Sequence, residues 1–183
     1  EEMLNECIHL QRMVNDLLEL SRLQNVKYSI EKTNVDLADV LQDSIRAARR
    51  FADAKNIAIV SDIAQNPCLI LGDYGRLRQM FMTVLDNSVK FSTPGEDVIV
   101  SAGIQDERYV VSIANKGRGI RPEELPRIFE SFYKGETGLN EGGTGLGLSI
   151  AKQIADRHNI SINVESQQNG DTVFRFTLTL PPQ

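Results

Sequence analysis

Little cysteine is present, and what there is carries no metal or disulfide pattern. Cys7 and Cys68 lie in apolar settings without the paired Cys/His spacing of a zinc site. Two buried thiols in a reducing compartment are the expectation. No apolar run approaches the length needed to span a bilayer. A signal peptide, internal repeats and low-complexity tracts are also lacking. Excess positive charge is absent: net charge is −5, which argues against nucleic acid as a partner. The chain opens on Glu1-Glu2 rather than Met, pointing to a segment of a longer protein. What remains is ordinary for a soluble globular chain, with 183 residues, 41% of them hydrophobic and 25% charged.

Two glycine-rich segments stand out, Asn115-Lys116-Gly117-Arg118-Gly119-Ile120 and Gly143-Thr144-Gly145-Leu146-Gly147-Leu148. The second runs into an apolar-periodic stretch that predicts a helix over 146–158. Free N–H groups at such a helix start, with the positive dipole end, attract phosphate. No Gly-Lys-Ser/Thr follows, so a Walker A loop is excluded. No strand leads in and no acidic residue closes a βαβ unit, so a dinucleotide fingerprint is a poor fit. The protein-kinase His-Arg-Asp and Asp-Phe-Gly motifs are missing.

Residues 1–23 hold no Gly or Pro, and Met3, Cys7, Leu10, Val14, Leu17 and Ser21 alternate spacings of four and three, a heptad seam. A helix of this length is marginal alone and needs a partner, either another helix or its own domain. Leu18 and Leu20 widen the seam. Residues 24–35 read as a linker with a strand-like stretch at Tyr28-Ser29-Ile30. A helix capped at Asp36 runs to about Ala54. Strands are predicted at 57–60 and 69–71, separated by an Asn66-Pro67 turn, and at 98–100, 109–113, 160–164 and 173–178. A long helix covers 73–91, and a short one Pro122–Phe132. The stretch Tyr133–Gly143 is a functional loop, and Pro181-Pro182 ends the fold. Strand pairs separated by helices give an α/β two-layer sandwich: a mixed, mainly antiparallel sheet with helices on one face, preceded by a coiled-coil-like helix.

On the 73–91 helix, Leu77, Met80, Phe81, Val84, Leu85 and Ser88 make the buried stripe. A second stripe holds Arg76, Gln79, Thr83, Asn87 and Lys90. Asn87 offers a hard oxygen ligand for Mg²⁺, an ion that takes few protein ligands and completes its shell with phosphate. Lys90, one turn away, can neutralise phosphate.

Five segments then resemble, in order, the motifs of sensor histidine kinases. Arg78-Gln79 with Asp86 to Ser92 resembles the N box, and 115–120 the first glycine box. Phe129-Glu130-Ser131-Phe132-Tyr133-Lys134 is similar to the F box, and 143–148 to the second glycine box. Gly170-Asp171-Thr172-Val173-Phe174 resembles the last glycine–threonine element. Residues 10–22 are similar to the second helix of the family's dimerisation and phosphoacceptor bundle.

The resemblance implies residues 1–23 as part of that bundle helix, 24–35 as linker, and 36–183 as an ATP-binding catalytic domain related to gyrase, Hsp90 and MutL ATPases. It implies ATP and Mg²⁺, with catalytic roles for Asn87, Lys90 and Thr83 and the metal on Asn87. Asn115, Gly117, Gly119, Ile120, Tyr133, Lys134, Gly143, Thr144, Gly145, Leu146, Gly147, Leu148 and Thr172 would bind nucleotide. Phe129 and Phe132 would anchor a lid, and Gly117 and Gly119 would let backbone approach the adenine. The implied partners are a response-regulator receiver domain and a phosphoacceptor helix of the same or a partner chain. The full protein would be a homodimer and this region cytoplasmic, without contact to membrane or nucleic acid.

Two positions depart from the family. Asn115 stands where Asp is usual, losing a charge-assisted bond to the adenine amino group, a cost of roughly 1–3 kcal/mol. Its amide NH₂ would be able to donate to guanine O6 instead. Thr83 replaces a second Asn. Neither His9 nor His158 sits in the acceptor-histidine pattern, so that acceptor is expected outside this segment. Two alternatives stand beside the kinase reading: a nucleotide-sensing module with degraded catalysis, or another ATPase or serine kinase of the same superfamily.

Overall fold

The computed structural model describes residues 2–25, 27–64, 67–135 and 143–180. Chain order is α1 (Glu2–Gln24), β1 (Thr33–Asp36), α2 (Leu37–Asp53), β2 (Ile59–Ile63), β3 (Leu69–Gly72), α3 (Tyr74–Phe91), β4 (Val98–Gln105), β5 (Arg108–Lys116), α4 (Gly147–Arg157), β6 (Ser161–Ser166) and β7 (Asp171–Thr179). Five strands form one sheet in the order β2-β4-β5-β7-β6, antiparallel except for β2 beside β4. Helices α2, α3 and α4 cover one face. The expected two-layer sandwich is what forms.

Alternation sets the face that they cover. Val100, Ile113, Phe174 and Val164 make one cross-strand row, and Ala102, Val111, Phe176 and Ile162 the next. The α3 stripe predicted from the sequence packs on these rows. Leu77, Met80, Phe81, Val84 and Leu85 are fully buried, and Phe81 meets Phe176 edge-on at 5.1 Å. Asp73 caps α3 by accepting from the Arg76 N–H, and Asp36 caps α2 through Ala38.

Several expectations need correction. β2 and β3 do not pair as neighbours. β2 joins β4 in parallel, which requires a long crossover, and α3 provides it. β3 pairs instead with β1, in a separate two-stranded sheet. β1 lies partly in the expected linker, while Tyr28-Ser29-Ile30 is irregular and pairs with no described strand. The helix expected over Pro122–Phe132 shrinks to a 3₁₀ turn at Leu125–Arg127. Pro126 lacks the N–H that a helix interior needs. Asn66, residues 136–142 and Pro181-Pro182 lie outside the described residues, and with them the predicted turn, most of the loop and the chain end.

The heptad seam of α1 faces outward. Met3 is 84% exposed, and Leu10, Val14, Leu17 and Leu18 are also exposed. α1 docks on α4 through a different stripe, ending in the buried Leu20 and Leu23. Cys7 is exposed, contrary to expectation, because it belongs to the outward seam. Cys68 is buried, and burial, with the Asp36 carboxylate second, pushes its thiol up to about 11.

Candidate functional site

A cavity of about 540 Å³ opens between α3, the start of α4 and the ends of β5 and β7. Sheet register builds one end of it. Asn115 pairs with Thr172 across β5 and β7, and Thr172 with Ser166 across β7 and β6. This is the row beyond Ile113–Phe174, so the alternation that fills the core ends here in polar groups. Asn115 and Thr172 are each 5% exposed. The Thr172 and Ser166 hydroxyls lie 2.7 Å apart, and Ser166 Oγ accepts from the Ile120 N–H at 2.8 Å.

The first glycine box packs closely against neighbouring backbone. A β-carbon on Gly117 would overlap the Phe91 carbonyl oxygen, and one on Gly119 the Gln167 carbonyl oxygen. These glycines let protein backbones pack against one another at the cavity's edge. Gly119 also holds φ +72, where a side chain is strained. Gly119 and Ile120 line the cavity; Gly117 lies behind it. Between the two glycines, the Arg118 guanidinium sits 4.6 Å over the Phe91 ring.

The opposite end is made of backbone. α4 begins at Gly147 with no side-chain cap, and Gly147 and Leu148 at its start line the cavity; the first N–H groups of a helix lack intrahelical partners and attract anions. Gly143, Thr144, Gly145, Gly147 and Leu148 all line it, whereas Leu146 points into the core, fully buried. The Lys90 ammonium lies 3.6 Å from where a β-carbon on Gly143 would sit. Thr83 and Asn87 line the wall beside it. The Thr83 methyl packs toward Gly147, 3.2 Å from an added β-carbon, so α3 and α4 approach closely here. Asn87 is half-buried with its amide on the cavity side of α3.

The F box divides. Phe129 is half-buried against the core. Phe132 is 53% exposed and does not anchor through its ring. Its anchor is the main chain: the Phe132 N–H donates to the Gly145 carbonyl at 2.9 Å, with Phe132 held at φ +65. A side chain at Gly145 would press on Phe132 backbone at 2.9 Å. Tyr133 and Lys134 line the cavity. Burial raises the Tyr133 phenol, and the Glu124 carboxylate adds to it.

Among the lining residues that the sequence reading did not single out are two carboxylates. Glu124 is buried, receives Arg121, and accepts from the Tyr133 hydroxyl at 3.4 Å. Asp16 arrives from α1 and accepts from the Thr144 hydroxyl at 2.7 Å. Neither belongs to a nucleotide-binding motif, and the Asp16 contact joins distant parts of the chain.

The sequence matches the family of Histidine kinase-, DNA gyrase B-, and HSP90-like ATPases over residues 72–182, the segment that supplies most of the cavity's lining. The chain belongs to that family. Sensor histidine kinases are among the proteins it is similar to. Sensor histidine kinase YkoH of Bacillus subtilis is 35% identical over 92% of this chain and 36% of its own length. Sensor-like histidine kinase SenX3 of Mycolicibacterium smegmatis is 32% identical over 99% of this chain and 47% of its own. The chain thus spans less than half the length of these two relatives. Among solved structures, the mycobacterial sensor histidine kinase MprB superposes with TM-score 0.74 at 29% identity, over 82% of this chain and all of that one. Full-length ShkA in complex with AMPPNP superposes with TM-score 0.83 at 28% identity, over 96% of this chain and 36% of that one. The chain is a catalytic ATP-binding domain of the sensor histidine kinase kind, preceded by a helix.

Proposed function

We propose that this cavity holds ATP with Mg²⁺ and presents the γ-phosphoryl group to a histidine on a phosphoacceptor helix of the same or a partner chain. The observation that carries it is a single cavity with polar side chains at a sheet end and an uncapped helix start opposite. In this reading Asn115 accepts from the adenine amino group, and Thr172 supports the base through its hydroxyl. Gly119 and Ile120 give the base a backbone wall. The Gly143–Gly147 backbone and the α4 amides take the phosphates, with Lys90 and Lys134 neutralising charge.

The donor set suits a magnesium-bridged triphosphate. Among the described residues no group of three His, Cys, Asp or Glu is placed to hold a metal. Mg²⁺ needs only one or two protein oxygens when phosphates supply the rest, and Asn87 is such an oxygen. When bound it neutralises the phosphate oxygens. Transfer then forms a nitrogen–phosphorus bond as the bond from the γ-phosphorus to its bridging oxygen breaks, releasing ADP. The domain's part is positioning and charge neutralisation.

The phosphoryl group passes on to an aspartate of a response-regulator receiver domain. The full protein is a homodimer with this region in the cytoplasm; no described helix is long and apolar enough to cross a membrane. Residues 1–23 are read as bundle helix, 24–35 as linker and 36–183 as the catalytic domain.

Calorimetric titration with ATP, ADP and GTP in Mg²⁺ tests the reading. Adenine nucleotides should bind, GTP should not, and Asn87→Ala should weaken ATP by roughly 100-fold. A folded protein that binds no adenine nucleotide is the result for a degraded sensing module. A preference for GTP would give Asn115 a base-selecting role.

A further inference from the structure

The docked face of α1 is not its apolar seam. His9, Met13, Asp16, Glu19, Leu20 and Leu23 are its more buried positions. Leu20 and Leu23 fix the C-terminal end of the helix in the core. Ahead of them stand two carboxylates. Glu19 pairs with Arg76 and accepts from Gln79 Nε2 at 2.8 Å, both on α3. Asp16 reaches the cavity itself and takes the Thr144 hydroxyl hydrogen. That hydroxyl also accepts from the Leu146 N–H at 3.3 Å, tying it to the turn that opens α4.

A threonine hydroxyl has one hydrogen to donate. A phosphate oxygen arriving at Thr144 and the Asp16 carboxylate are rival acceptors for it. They are also like charges meeting in a partly enclosed site, where repulsion is stronger than in open water. Glu19 holds the helix so that Asp16 cannot simply swing away, and a salt bridge shared with a hydrogen-bonded amide fixes that position better than an isolated surface pair.

We propose that Asp16 is a specificity-determining residue of the nucleotide pocket, setting occupancy of its phosphate end against docking of α1. The inference rests on the adenine-nucleotide reading above. A nucleotide whose phosphates reach Thr144 must displace the carboxylate, so binding is weakened for the longer phosphate chain and α1 is loosened when it binds. Linkage makes the two effects reciprocal: what loosens α1 tightens the triphosphate by the same factor.

The test is titration of the chain and of Asp16→Asn with AMP, ADP and ATP in Mg²⁺, paired with amide hydrogen exchange across residues 10–24. Asp16→Asn should tighten ATP by roughly fivefold or more, the lower end of ordinary site-to-site coupling, and leave AMP unchanged. In the unaltered chain, ATP should speed exchange in α1 and AMP should not. Equal affinities in the two proteins, weaker ATP binding by Asp16→Asn (the result for a carboxylate that holds the metal), or slower exchange in α1 with ATP would each overturn the proposal while leaving the adenine-nucleotide reading intact. If neither folded protein binds any of the three nucleotides, the adenine-nucleotide reading itself falls and takes this inference with it.

Discussion

The two ends of the cavity are built in opposite ways. The end proposed to hold the base is a continuation of the sheet: Asn115, Thr172 and Ser166 occupy the next row after Ile113, Phe174 and Val164, and their positions follow from strand register. The end proposed to hold phosphate is backbone, shaped by Gly143, Gly145 and Gly147 and braced by Thr83, Phe132 and Asp16. One end inherits the rigidity of hydrogen-bonded strands. The other depends on glycines at φ +115 and φ +73 and on contacts from distant parts of the chain. If the cavity holds a nucleotide as proposed, recognition of the base is tied to folding stability, while recognition of phosphate is open to change with the fold intact.

The strongest challenge to that contrast is Gly119→Ala. An added methyl meets Gln167 backbone at a positive φ, so stability should fall by about 2–4 kcal/mol in urea denaturation. An unchanged midpoint would mean the base end is not part of the rigid sheet. Gly145→Ala is the counterpart at the phosphate end. It also adds a methyl at positive φ, pressing on Phe132, but in a loop. ATP affinity should drop roughly 10-fold, with AMP affinity nearly unchanged and a stability loss of only about 1 kcal/mol. Equal losses for AMP and ATP would erase the distinction between the ends.

Asn115→Asp sharpens the contrast from the base side. A carboxylate there restores a charge-assisted acceptor, so AMP, ADP and ATP should all tighten by about the same factor, roughly 5- to 10-fold. A gain confined to ATP would place Asn115 at the wrong end.

The smallest expected effect tests what the two ends share. His158 closes α4 and accepts the Asp73 N–H on Nε2 at 3.0 Å, at the start of α3. Its Nδ1 lies 2.7 Å from the Ile154 carbonyl, so the proton sits on Nδ1 and the ring is neutral. Burial lowers its affinity for a second proton, with the Ile154 hydrogen bond opposing. The unfolded ring takes that proton near its ordinary 6.5 and the folded ring only below it. The contribution is thus complete above about 6.5 and is lost as pH falls from there. Denaturation midpoints should decline from pH 7 to pH 5, and His158→Gln should flatten that slope without separating AMP from ATP affinity.

What the sequence discloses follows the same division. The α3 stripe and the β5 and β7 alternation are periodic, so the core, and with it Asn115 and Thr172, can be read directly. Asn87 and Lys90 are legible because a helix period puts them on one side. The reasons for Gly117 and Gly119 are not legible, since nothing local announces Phe91 or Gln167 as their neighbours. Phe132 reads as a buried aromatic, yet its backbone does the anchoring. Asp16 and Glu124 belong to none of the nucleotide-binding motifs, and only tertiary packing brings them in. The apolar seam of α1 misleads about its own docking: the stripe that binds the domain is mixed, with Leu20 and Leu23 at one end and carboxylates ahead of them.

The most direct test of the two-ended account is a backbone amide NMR titration, AMP first and then ATP with Mg²⁺. The account predicts that AMP shifts residues around Asn115, Gly119 and Thr172, and that ATP adds shifts from Gly143 through Ile150 and at Asn87 and Lys90. Shifts from AMP concentrated at Gly143–Ile150, or ATP shifts that leave Asn115 and Thr172 untouched, would contradict it.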